Sequence, residues 1–208
     1  GQEIGLTPLQ MITAVNAVAA SGYLMRPRLI REIRSPDGEV LEHFDPQPLR
    51  RVVSRETAAR LTELLIGVVD RGTGVRATIP GYRVAGKTGT TNNLYDAWFV
   101  GYTPDIITGV WVGFDEEGSL GRGETGSRAA SPIWLGFMQR AMADRPVKVF
   151  EVPEGIVFSR IDAETGLLPI PESKETIFEC FKDGTVPTEY TKPPDAIADQ
   201  EDFFKVGM

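Results

Sequence analysis

Between Arg83 and Asn93 one short extended segment, Arg-Val-Ala-Gly-Lys-Thr-Gly-Thr-Thr-Asn-Asn, carries an amine, bare glycines and several hydroxyls. Small residues at Ala85, Gly86 and Gly89 leave the backbone uncovered, so a ligand can lie against main-chain N–H and C=O groups as an added strand. Lys87 puts a positive charge beside that edge, and the hydroxyls of Thr88, Thr90 and Thr91 suit a carboxylate. Backbone N–H groups near Thr90 are placed to face a developing oxyanion. A pleated strand sends Lys87 and Gly89 to one face and Thr88 and Thr90 to the other, so a single ligand meets both sets only from the strand edge. The plain alternative is an exposed turn in which lysine serves solubility.

Two nucleotide motifs occur by letter and fail by context. Gly81 to Thr88 matches G-x-x-x-x-G-K-[ST], and Val110 to Asp115 resembles an apolar strand ending in a magnesium-holding aspartate. A phosphate loop must follow a buried strand and open a helix, whereas Thr78-Ile79-Pro80 precedes this one and Gly89-Thr90-Thr91-Asn92-Asn93 follows the lysine. Gly121 to Gly126 matches G-x-G-x-x-G, but Asp115-Glu116-Glu117 beside it repels a pyrophosphate. No cofactor is expected. The net charge of −7 and the lack of a basic cluster argue against nucleic acid. Cys180 is the sole cysteine and His43 the sole histidine, which excludes a metal site of the His/Cys type and any Ser-His-Asp triad that does not use His43. No run of about 18 apolar residues is present, so neither a membrane span nor a signal peptide is expected. The first residue, Gly1, is read as the start of a piece cut from a longer chain.

The elements that must position Lys87 follow from periodicity. Thr7-Pro8-Leu9-Gln10 reads as an N-cap, a first-turn proline and a capping box, opening an alanine-rich helix that Gly22 stops. Leu29 to Ile33 and Val40 to Phe44 alternate around Pro36-Asp37-Gly38, the chemistry of a hairpin. Ser54 caps a second helix whose apolar face is Ala58, Leu61, Leu64, Leu65, Val68 and Val69. Three strands follow, about Tyr82 to Thr90, Trp98 to Tyr102 and Ile106 to Phe114, joined by short turns as an antiparallel meander, with the third apolar enough to be covered on both faces. Ser131-Pro132 opens a third helix presenting Trp134, Phe137, Met138 and Ala141. After Pro146 the texture changes to short strands at Val147 to Val152 and Ile156 to Phe158, then a proline-rich tail from Pro187 to Pro194. The expected fold is α+β, an antiparallel sheet flanked by helices, in residues 1–146, with a small β-containing segment and loosely ordered tail in 147–208.

In this order the parts resemble a known family. Val84 to Asn92, followed by Asp96-Ala97-Trp98-Phe99-Val100-Gly101-Tyr102-Thr103-Pro104, is similar to the K-T-G strand and next strand of the penicillin-binding proteins, above all the bifunctional class A enzymes that join a glycosyltransferase to a D,D-transpeptidase. Leu6 to Met11, Val69 to Gly74, Ala129 to Trp134, Val152 to Ile156 and Asp162 to Gly166 extend the likeness over most of residues 1–190. The resemblance implies a β-lactamase/transpeptidase-like fold and a serine acyltransferase that cross-links peptidoglycan stem peptides and is blocked by β-lactams. It implies that Lys87 supplies positive potential to the substrate carboxylate and the proton relay. Thr88 and Thr90 would bind that carboxylate, Gly89 and Thr91 would line the same wall, and the Thr90 N–H would be an oxyanion donor. It also implies a parent protein on the periplasmic face of the bacterial inner membrane, tethered by an upstream span.

The sequence departs from the family at one point. None of Ser21, Ser35, Ser54, Ser119, Ser127, Ser131, Ser159 and Ser173 begins the family's Ser-x-x-Lys or Ser-x-Asn motif. The chain therefore reads as the C-terminal part of a transpeptidase domain without its nucleophile, inactive alone, with apolar surface through which it associates. The competing classes are a non-catalytic binding or assembly module and a serine β-lactamase or carboxypeptidase relative.

Overall fold

A computed structural model describes residues 5–193. They form two compact units that divide between Val152 and Pro153. The end of the proline-rich tail, including Pro194, lies outside the described residues.

The first unit opens with α1 (Pro8–Ala19), capped as its sequence requires. The Thr7 N–H donates to Gln10 Oε1 at 2.8 Å and the Gln10 N–H to Thr7 Oγ1 at 3.2 Å. Four short strands follow: β1 (Tyr23–Met25), β2 (Glu32–Arg34), β3 (Val40–His43) and β4 (Pro48–Arg51). The hairpin β2–β3 forms around Gly38, whose φ of 88° suits a glycine. β1 pairs with β4, closing a second ribbon that the sequence did not suggest. Both ribbons are mostly exposed and add little to the core. Glu32 bonds Arg34 and Arg31, and those hydrogen bonds, Arg34's first, pull its carboxyl down to about 2.

Helix α2 (Arg55–Arg71) starts where Ser54 Oγ accepts the Thr57 N–H. Its buried stripe is Ala58, Thr62, Ile66 and Val69, one position off the expected face, and Leu64 is 60% exposed. Thr62 tolerates burial because its hydroxyl donates to Ala58 O and bonds Tyr102 Oη, both at 2.9 Å. A hydroxyl in the stripe hid the true face from an apolar count.

Strands β5 (Ala85–Thr90), β6 (Ala97–Tyr102) and β7 (Ile107–Val112) make the expected antiparallel meander in that order. The strand covered on both faces is β6, the central one, rather than β7. β7 is an edge, with Trp111 40% exposed, so its apolar run does not mark the middle of the sheet. The register puts Lys87, Val100 and Gly109 across one face, with Gly89, Trp98 and Trp111 beside them. α1 packs on that face, its Ile12 lying against Val100 and the bare Gly109.

The opposite face carries Thr88, Phe99 and Val110 and is covered by α3 (Ser131–Met142). The chain is already coiled before Ser131, in one π turn from Gly126 to Ala130. Trp134 and Met138 point inward as expected, but Met142 joins them in place of Phe137, which is exposed. Trp134 donates from Nε1 to Thr108 O at 3.0 Å and meets Phe99 edge to face at 5.1 Å.

In the second unit β8 (Ile156–Asp162) pairs antiparallel with β9 (Thr176–Lys182) over its whole length. β8 outruns the segment expected from sequence, β9 was not expected, and residues 147–152 form no strand. The loop between the two strands turns on Asp162, whose Oδ1 accepts from the N–H groups of Glu164 and Thr165 and from the Thr165 hydroxyl. Hydrogen bonds, that of the Ser173 hydroxyl foremost and the Thr165 N–H next, hold its carboxyl below the usual range.

Candidate active site

The segment singled out by sequence is an edge strand. Past its end the Thr91 N–H donates to Asp96 O at 3.1 Å. Antiparallel pairing alternates, so the main-chain groups of Gly89 and Lys87 turn toward β6, and those of Thr88 and Thr90 face the edge away from it. Lys87 is exposed, and its Nζ donates to the outward Thr88 carbonyl at 2.8 Å.

The hydroxyls differ in what holds them. Thr88 Oγ1 lies 2.8 Å from Thr73 Oγ1, in the loop that leaves α2. Thr90 Oγ1 accepts the Gly126 N–H at 3.0 Å. Thr91 Oγ1 accepts from both Tyr95 N–H and Asp96 N–H, at 3.0 and 2.9 Å, and so shapes the β5–β6 turn. Spacing along one segment brought Lys87, Thr88, Gly89 and Thr90 to light, but it contained no sign of Thr73 or Gly126, which come from other elements.

The glycines also divide. Gly86 is buried, and a side chain there would meet the Phe99 ring at 2.6 Å, so its bareness serves the core rather than a ligand. Gly89 is half-buried, and a Cβ on it would stand 3.1 Å from Trp98 Cβ. Gly126 lies against the ladder, where a Cβ would fall 2.3 Å from Trp98 O and 2.5 Å from Gly89 O. Only glycine lets the π turn approach β5 closely enough to bond Thr90.

Beside Lys87 opens a cleft of about 710 Å³. Leu6, Pro8, Met11 and Val15 form one wall, Lys87 to Thr91 another, and Trp98, Val100 and Trp111 the apolar floor. Asp96 completes the lining, fixed by Trp111 Nε1 at 2.8 Å from its Oδ1. The cleft thus offers a cation, hydroxyls and main-chain groups of a strand edge for an anionic, strand-like ligand. Among the described residues that line it there is no serine, cysteine or histidine, and its hydroxyls all belong to threonines. No group of three or more His, Cys, Asp or Glu side chains suited to a metal exists among the described residues.

The family model described as penicillin binding protein transpeptidase domain matches residues 1–134, well over half of the chain. The chain belongs to that family. A second model, penicillin-binding protein 1A, C-terminal domain, matches residues 152–193. Penicillin-binding protein 1A of Pseudomonas aeruginosa is 34% identical over 91% of the chain, and that of Aquifex aeolicus 39% identical over 88%. The chain spans only 29% and 25% of those two relatives. Among solved structures, penicillin-binding protein 1A from Haemophilus influenzae superposes with a TM-score of 0.75 at 29% identity, over 90% of this chain and 33% of that one. Penicillin-binding protein A from M. tuberculosis, solved as an imipenem acyl-enzyme complex, gives 0.57 at 29% identity, over 68% and 33%. The α+β fold and the place in the penicillin-binding transpeptidase family are therefore as the sequence indicated.

Proposed function

We propose that this chain supplies the K-T-G wall of a serine-type peptidoglycan D,D-transpeptidase site whose nucleophile lies on polypeptide outside this sequence. The observation that carries the reading is the cleft beside Lys87, furnished with a cation and hydroxyls that suit an anionic peptide and lined by no serine among the described residues. Lys87 brings positive potential to the terminal carboxylate of a stem peptide, or of a β-lactam, and to the proton relay of the missing serine. Thr88 and Thr90 donate hydrogen bonds to that carboxylate. The outward Thr90 N–H is one oxyanion donor, and loss of such a donor costs about 10² to 10³ in rate. Gly89 keeps the wall low enough for an extended peptide to lie along it, and Thr91 holds the turn that ends it.

With this reading go a transpeptidase part in residues 1–146, an appended segment in 147–208, and a parent protein anchored on the periplasmic face of the bacterial inner membrane. No helix among the described residues is long and apolar enough to cross a membrane. The test is labelling of that parent by fluorescent penicillin. Lys87→Ala and Thr90→Val are each expected to abolish labelling, and undiminished labelling of both variants would overturn these roles.

A further inference from the structure

Thr88 and Thr90 present hydroxyls at the same edge, and each is met by a hydrogen-bonding group from a different flanking loop. For Thr90 the sense is fixed. The Gly126 N–H is a donor, so Thr90 Oγ1 accepts, and its own proton remains available to bond outward. For Thr88 the partner is the Thr73 hydroxyl, and the loop that carries it is held in place. The N–H groups of Gly72 and Gly74 both donate to Val68 O, at 3.1 and 2.9 Å, which folds the loop back over the end of α2. Gly74 is buried there, and a Cβ on it would stand 3.0 Å from Val68 O. Thr73, between them, is thereby turned toward β5.

We infer that Thr73 is a positioning residue for carboxylate recognition: its hydroxyl donates to Thr88 Oγ1 and so commits the Thr88 proton to the ligand, as the Gly126 N–H does for Thr90. The inference rests on the assignment of Thr88 to the substrate carboxylate. A hydroxyl has one proton, and an oxygen already occupied as an acceptor presents that proton to an anion in a fixed direction. Without Thr73 the Thr88 hydroxyl rotates among water partners, and its ordering must be supplied when the ligand binds. Two loops far apart in sequence then act alike, each setting one donor of a pair.

The test uses the longer parent protein and two ligands, a β-lactam with its free carboxylate and the methyl ester of the same compound. Thr73→Val keeps the shape and removes the hydroxyl. It is expected to slow acylation by the free acid about threefold to tenfold, the scale of one neutral hydrogen bond. It should leave acylation by the ester unchanged, and Thr73→Ser should restore the free-acid rate. Equal losses with both ligands would mean that Thr73 only supports the fold and would overturn the inference. So would a free-acid rate unaffected by Thr73→Val while Thr88→Val lowers it about tenfold or more, as loss of a bond to a charged group does. If Thr88→Val itself has no effect on the free acid, the carboxylate assignment of Thr88 falls, and this inference with it.

Discussion

The two faces of β5 are built for different work. The face of Lys87 and Gly89 opens onto a cleft, while the face of Thr88 and Thr90 runs from a packed core at Gly86 to a rim held by Thr73 and Gly126. On the closed face glycine admits neighbouring protein: the Phe99 ring at Gly86, and the ladder itself at Gly126. On the open face Gly89 leaves room that no described side chain fills. One side of the strand is thus anchored and the other clear, and they meet along the edge that the proposed function assigns to the ligand.

The largest effect should come from removing the anchor. Trp134→Ala, at a fully buried side chain beneath Gly101 and Thr108, is expected to cost about 3–5 kcal/mol in chemical denaturation of the chain. Gly126→Ala forces a methyl onto main-chain oxygens and should cost about 1–3 kcal/mol. A cost near zero would mean that the π turn is free to withdraw from β5.

Tyr102 tests where the open face closes. It pairs with Ala85 on the same face as Lys87, packed with Ile66 and Phe150. Burial pushes its hydroxyl up to about 12, with the Thr62 hydrogen bond opposing. The folded value lies above the ordinary 10, so this contribution to stability is complete below pH 10 and is lost as pH rises toward 12. Absorbance titration of the tyrosinate checks it, and ionisation of Tyr102 near pH 10 would place solvent at that end of the sheet. The smallest effect belongs to the open face. Lys87→Ala should change the stability of the chain by no more than about 0.5 kcal/mol, because the side chain is exposed. A large loss would make Lys87 a structural residue.

How much of this the sequence carried depends on whether the cause was local. The capped start of α1, the Gly38 hairpin and the three-strand meander were legible because caps, turns and alternation act within a few residues. The buried stripe of α2 was shifted because Thr62 is satisfied by Tyr102, forty positions away. The covered strand was misplaced because burial depends on position in the sheet, and β7 is as apolar as a central strand while lying at an edge. The site followed the same division. Lys87, Thr88, Gly89 and Thr90 stand together in one motif, whereas Thr73 and Gly126 reach it only through the fold.

The most direct measurement is the mass of the isolated chain after incubation with excess fluorescent penicillin. Because the cleft holds every described part of the wall and no described serine, the account expects an unmodified mass under conditions that label the longer parent completely. A stoichiometric penicilloyl adduct on any serine of this chain would contradict it.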